Sequence, residues 1–328
     1  MVAIRDARAV ASLLAATAAL VSQPALAQSS YPNKSIRLVI GFTAGGISDV
    51  LARSLGARLL AQMGQQVVID NRAGAGTTIA AEIVARSAPD GYTLFLQDIT
   101  TQAINASLYK KLPYDTVKDF TPITLVASSP LLLVVHPSLP VKSVKELIAL
   151  AKSKPGQIAI ASSGNGTILH LSAETLKSMA GIDMVHVPYK GSPQAVQALM
   201  AGEVVVSFST MPPAVPHIKS GRLRALGVTT VKRNAAAPDV PTLAEGGLKG
   251  FDVVLYSGVL GPAGLPGAVV AKLNAEFIKA VNTPEARAVY ASLGVDAITN
   301  TPAEFAAHIA ADIEKLGKAV RASGARVD

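Results

Sequence analysis

Ser162-Ser163-Gly164-Asn165-Gly166-Thr167-Ile168-Leu169-His170 follows the apolar run Ile158–Ala161 and leads into a helical pattern. Phe42-Thr43-Ala44-Gly45-Gly46-Ile47-Ser48-Asp49 does the same after Ile36–Ile40. Each stretch predicts a strand, a loop of small residues, and a helix whose first N–H groups have no intrahelical acceptor. A helix start of that kind attracts anions. Two of them, far apart in the chain, predict two lobes facing one ligand across a cleft.

Working outward, strands and helices alternate. Strand Ile36–Phe42 is followed by helix Ser48–Met63, with Val50, Leu51, Leu55, Leu59 and Leu60 on one face and Gly64 as its stop. Strand Val67–Asp70, a helix ending near Ser87, the turn Pro89-Asp90-Gly91 and strand Thr93–Gln97 complete a β-α-β-α-β unit. An extended segment Ile123–His136, broken by Pro130, predicts a crossover. The alternation then repeats through helix Val144–Lys152, strand Ile158–Ser162, helix Ile168–Met179, strand Met184–Val187, helix Pro193–Met200 and strand Val204–Phe208. Helix Pro213–Ser220, strand Leu223–Thr229 and a return crossover at Phe251–Leu260 follow, then two final helices, Gly267–Val281 and Thr301–Arg321. This order predicts parallel α/β sheets in two lobes joined by two crossovers, with ligands beyond the carboxyl ends of the strands. The expected lobes are 28–125 plus 251–328, and 126–250.

Arg5 and Arg8, the apolar run Ala9 to Val21 and the small-residue site Ala25-Leu26-Ala27 have the layout of a secretory signal peptide. Residues 1–27 are therefore expected to be removed, leaving a soluble periplasmic protein beginning near Gln28. Half the residues are apolar and only 16% charged, the balance of a globular α/β chain long enough to bury a core without cross-links. There is no cysteine, which excludes disulfides and thiol nucleophiles. The net charge of +8 becomes +7 when Arg5, Asp6 and Arg8 leave (8 − 2 + 1), but the cations are scattered and no nucleic-acid-binding signature is present, so nucleic acid is not an expected partner.

Catalytic patterns are absent. There is no Gly-x-Ser-x-Gly elbow, P-loop or His-Glu-x-x-His, and Gly74-x-Gly76 has Ile79 where a dinucleotide fingerprint needs its third glycine. No cofactor or metal is expected. The cleft loops offer a different chemistry. Gly45 and Gly46 allow close backbone approach, Ser48 or Asp49 is placed to cap the next helix, and Thr167 to cap the one after Gly164-Asn165-Gly166. His170 is placed either to reach a ligand or to make a structural hydrogen bond. Tyr189-Lys190-Gly191-Ser192-Pro193 predicts a third strand-to-helix junction, with Ser192 as its cap, and Ser209-Thr210 supplies two hydroxyls at a fourth.

From Tyr31 onward the chain resembles the periplasmic receptors of tripartite tricarboxylate transporters, the Bug family. The resemblance rests on Phe42-x-x-Gly45-Gly46-x-x-Asp49-x-x-Ala52-Arg53, Asn71-Arg72-x-Gly74-Ala75-Gly76, Ala88-Pro89-Asp90-Gly91-Tyr92-Thr93, Leu108 to Asp115, Gly164-Asn165-Gly166-Thr167 with His170-Leu171, and His186-Val187-Pro188-Tyr189-Lys190-Gly191. It implies a type II, Venus-flytrap fold closing on a small carboxylate, without catalysis, for a membrane transporter or a sensor. The implied ligand contacts are Phe42, Ala44, Gly45, Gly46, Asp49, Asp98, Ser163, Gly164, Asn165, Gly166, Thr167, His170, Tyr189 and Ser209, in a monomer. The competing expectation is an α/β enzyme acting on a small carboxylate. Three positions depart from the family pattern: Ala44 replaces a proline, Asp98 a small polar residue, and Ser209 an aspartate. Asp98 either pairs with a cationic group on an acid ligand or caps the Thr100-Thr101 turn.

Overall fold

β1 (Ile36–Ile40) lies between two parallel neighbours, β2 (Val67–Asn71) and β3 (Thr93–Asp98), because its residues face helices on both sides and are almost wholly apolar and buried. In this computed structural model the described residues run from Tyr31 to Ser323, and those from Lys34 on cluster as one unit. The expected leader at 1–27 lies outside the described residues.

β3 pairs antiparallel with β9 (Val254–Pro262), which places Asp98 opposite Ser257. β9 then pairs antiparallel with the first part of β4 (Phe120–Val135). From Leu131 onward β4 changes partners to β7 (Val206–Thr210) and β8 (Arg224–Val228). β7 continues in parallel to β5 (Ala159–Ser162), and β5 to β6 (Val185–Pro188). Two parallel groups, β2-β1-β3 and β6-β5-β7, are thus joined through long antiparallel strands. Pro130 does not break β4 as expected. It stands opposite Val254 as the last residue paired to β9, where the strand changes partner and the missing N–H costs least.

Each parallel group carries its own core. Val39, Ala80, Phe95, Phe120 and Phe305 pack together in the first, and Leu132, Val134, Ala161, Leu199 and Met211 in the second. Helix α1 (Ile47–Met63) buries Leu51, Ala52, Leu55 and Leu59 and stops at Gly64 in the left-handed region, while Leu60 remains 46% exposed, so its buried face is narrower than the sequence implies. α2 (Thr78–Ala85) follows. Two helices went unread in the sequence. α3 (Ile99–Leu108) starts directly from β3, and its β-branched opening Ile99-Thr100-Thr101 disguises it. The other, Pro284–Ser292, starts from a Thr283 cap. The remaining site helices are α5 (Ile168–Ala180), which follows α4 (Val144–Ser153), α6 (Ser192–Ala201) and α7 (Met211–Lys219). After β9 come α8 (Gly267–Val281), α9 (Pro284–Ser292), the short β10 (Asp296–Ala297) and α10 (Pro302–Ser323), which packs along α3.

Candidate functional site

The N-termini of α1, α3, α5, α6 and α7 converge on a small, partly open cavity lined by Phe42, Gly46, Ile47, Ser48, Asp98, Ser163, Leu169, Ser192, Thr210 and Leu255. Aligned helix termini of this kind bring partial positive charge and unpaired N–H groups to one point. The α1 terminus has Gly46 at its cap position and no side-chain cap. Ser48 is 1% exposed and Thr210 4% exposed, and neither hydroxyl has a hydrogen-bond partner among the described residues. A buried hydroxyl without a partner carries a desolvation penalty that a bound anion removes. The lining includes no lysine, arginine or histidine.

Asp49 does not point its carboxylate at this cavity. Its Oδ2 accepts from the Gly45 N–H at 3.0 Å and from Arg53 Nε at 3.0 Å, and Oδ1 accepts from Arg53 Nη2 at 3.0 Å. Burial works to raise this carboxyl, but the bonds from Arg53 and Gly45 and the guanidinium charge hold it below its ordinary value. The Gly45 N–H is therefore engaged inside the loop, and Ala44 and Gly45 are exposed. Ser192 also departs from expectation. Gly191 takes the cap position of α6, while Ser192 Oγ accepts from the Thr210 N–H at 3.0 Å and pairs with Ser209 Oγ at 2.9 Å. Ser209 is thus fully buried behind Ser192 and outside the cavity lining.

Asp98 is the one carboxylate in the lining. It caps α3, with Oδ1 accepting from the Thr101 N–H at 3.0 Å and Oδ2 from the Thr101 hydroxyl at 2.5 Å. The turn-capping alternative is the geometry found, in the form of a helix start. Burial drives its pKa up to about 6 against the pull of those bonds, and Asp312 on α10 adds to the rise. The Thr101 hydroxyl also accepts from the Ile168 N–H at 3.1 Å, so a short relay runs from Asp98 to the N-terminus of α5.

A second, larger cavity adjoins the first and shares Phe42 and Ser163 with it. Gly41, Gly74, Ala75, Gly76, Thr77, Gly164, Asn165, Pro188, Tyr189 and Lys190 complete its wall. Of the residues singled out in the sequence, Phe42, Gly46, Asp98, Ser163, Gly164, Asn165 and Tyr189 line one or both cavities. Ala44, Gly45, Asp49, Gly166, Thr167, His170 and Ser209 do not. Thr167 does cap α5, its hydroxyl accepting from the His170 N–H at 3.3 Å. Ile47, Leu169 and Leu255 were missed. Their apolar side chains carry no local sign of a cleft, although a position in the first turn after a glycine loop could have marked Ile47.

Behind the second loop His170 and His186 stack at 4.2 Å between ring centroids. His170 Nδ1 accepts from the Gly166 N–H at 3.3 Å, and His186 Nε2 lies 2.6 Å from Ser162 Oγ. His170 therefore takes the structural alternative. Burial lowers both imidazoles, His186 to about 3, with His170 and Lys177 adding repulsion. An unfolded histidine protonates near 6.5, so acid costs stability as the pH falls from there toward 3. Asp98 acts in the opposite sense, because the folded chain protonates it first, between about 6 and 3.8. Between pH 7 and 5 the His186 contribution costs about 2 kcal/mol and Asp98 offsets about 1 kcal/mol of it. The wild-type melting temperature should therefore fall modestly over this range, that of Asp98→Asn more steeply, and that of His186→Gln should rise slightly, because the Asp98 contribution is then unopposed. Parallel slopes in all three would contradict the assignment.

The family model described as tripartite tricarboxylate transporter family receptor matches residues 51–325 of this chain. The protein BugT of Bordetella pertussis is 35% identical over 320 residues, covering 97% of this chain and 98% of BugT. Among solved structures, the periplasmic binding protein BugD superposes with a TM-score of 0.87 at 31% identity, covering 90% of this chain and 99% of BugD. Rpa4515 of R. palustris, solved with adipate, also gives 0.87, at 35% identity, covering 90% of this chain and 100% of its own. The fold is that of a two-lobed periplasmic binding protein.

Proposed function

This chain belongs to the tripartite tricarboxylate transporter receptor family, and from that premise we propose that it is a periplasmic solute-binding receptor that closes two lobes on a small carboxylate. The lobes are 28–125 with 251–328, and 126–250. Residues 1–27 direct export. The receptor works as a monomer, turns nothing over, and delivers its ligand to a membrane transporter or a sensor. No helix among the described residues is long and apolar enough to cross a membrane.

One observation carries the reading: uncapped helix termini and the orphaned hydroxyls of Ser48 and Thr210 meet in a cavity whose lining has no basic side chain. That is a donor set for one carboxylate group, supplied by dipoles and hydroxyls. The ligand class is supported by the adipate in Rpa4515. The second cavity, with Asn165, Tyr189 and Lys190 in its wall, leaves room for the rest of the molecule.

Adipate, succinate, malate, benzoate and aspartate, each beside its neutral amide, form the test panel for thermal shift. At about 100 times its dissociation constant a bound acid adds about 2.7 kcal/mol of stability, and its amide much less. Ser48→Ala and Thr210→Val should each weaken that acid about 10- to 100-fold, the loss of a hydrogen bond to a charged group. Equal shifts from acid and amide, or product appearing from any panel member, would overturn the reading.

A further inference from the structure

Asp98 stands in the wall of a largely apolar cavity that the proposed ligand enters as an anion. It is 1% exposed, and the lining brings no cation to it. The groups facing it from neighbouring elements do not supply one either. α10 presents Asp312, which lies 3.3 Å from His308; β9 presents Tyr256 and Ser257; α3 presents Thr100 and Thr101. α5 reaches it only through the Thr101 hydroxyl, with His170 one turn on, and on α1 the nearest charges, Asp49 and Arg53, are spent on each other. Two carboxylates held together at a buried position without a cation disfavour the doubly ionised state, and one shared proton relieves it.

We infer that Asp98 takes up one proton from solvent when the cavity closes on its ligand, so that Asp98 and the ligand's carboxylate share it and the pair carries a single negative charge. The inference rests on the carboxylate reading above and deepens it: the receptor selects an acid bound together with a proton. Protonated Asp98 becomes a donor, which is what a carboxylate needs and what the apolar part of the wall lacks. Its hydrogen bonds already accommodate that change, because Oδ1 and Oδ2 accept from different groups of Thr101, and one oxygen keeps its partner while the other turns to the ligand. Burial has moved the free carboxyl toward neutrality before any ligand arrives. An ammonium-bearing ligand would need the reverse, an Asp98 that stays ionised.

The experiment is isothermal titration of the panel acid giving the largest thermal shift, at pH 6.5, 7, 7.5 and 8, each in buffers of low and high ionisation enthalpy. For the wild type we expect uptake of close to one proton per ligand at pH 8 and an affinity that rises about tenfold from pH 8 to 7. Asp98→Asn keeps a cap for α3 and should bind with almost no proton uptake, a flat pH profile, and higher affinity than wild type at pH 8. No proton uptake in the wild type would overturn the inference, and so would proton release with affinity falling toward acid, the mark of an ammonium paired to Asp98. If Asp98→Asn does not fold, the wild-type proton count decides alone. Failure of every panel acid to bind would overturn the carboxylate reading and this inference with it, whereas binding without proton uptake overturns only the inference.

Discussion

Gly76→Val is expected to fold and to lose ligand-induced stabilisation. Gly76 has φ +57°, between Ala75 at +45° and Thr77 at +75°, so this turn is already in the left-handed region. A Cβ there would fall 2.5 Å from the Asn165 carbonyl oxygen and 2.9 Å from the Tyr109 hydroxyl. Asn165 belongs to the loop before α5 and Gly76 to the turn before α2, and both line the second cavity. On the receptor reading proposed above, these two loops part when the lobes open, and a side chain at Gly76 then finds the room that the present arrangement denies it. The strain of a non-glycine residue at this φ costs about 1–2 kcal/mol, a modest fall in melting temperature. Affinity for the best panel acid should fall at least about 100-fold, equivalent to about 2.7 kcal/mol. Gly64→Val is the matched control, because φ is +69° and nothing lies within 4 Å of an added Cβ. It should show the same strain and bind normally. Wild-type affinity in Gly76→Val would remove the closure argument.

The fold was legible wherever apolar runs alternate with helical patterns, and the site much less so. β1, α1, β5, α5 and α8 can be read nearly residue for residue, since glycine loops and caps punctuate them. α3 was not, because its first turn is β-branched and its buried polar residues find partners far away in sequence: Gln102 donates to the Thr116 carbonyl and Asn105 to the Gly76 carbonyl. Tertiary contacts hold that helix where local propensity is weak. The helix at Pro284 carried a readable signal, a Thr283 cap before a proline, but falls in the stretch between Val281 and Thr301 to which the sequence reading gives no element. The two cleft loops were found from the sequence. Which of their residues reach the cavity was not, because Ser48 and Asp49 are adjacent on one helix and only packing shows that the serine faces in while the aspartate ties back to Gly45. Ser48 and Thr210 meet in one wall from positions about 160 residues apart, and no local pattern encodes that.

Phe305→Ala should be the most destabilising single change proposed. The helix it sits on begins with a reciprocal cap, the Thr301 hydroxyl accepting from the Glu304 N–H at 3.2 Å and Glu304 Oε2 accepting from the Thr301 N–H at 2.8 Å. That start aims Phe305 inward, where it is 0% exposed. Its ring fills the space over Gly258 of β9, so closely that a Cβ on that glycine would overlap it, with Ile99 of α3 on the same side. Phe305 therefore joins three pieces of chain: the C-terminal helix, the returning strand, and the helix capped by Asp98. Removing a ring from a site with a glycine opposite leaves a void that nothing near it can refill, at a cost of about 3–5 kcal/mol. In a chain of this size that is a fall of about 6 to 15 °C in melting temperature. Phe305→Leu should lose about half as much. The bound acid should still raise the melting temperature of Phe305→Ala, because the ring lines neither cavity. A fall of less than about 3 °C would mean that the neighbouring helices collapse into the space, and that α10 holds to the sheet by contacts other than this ring.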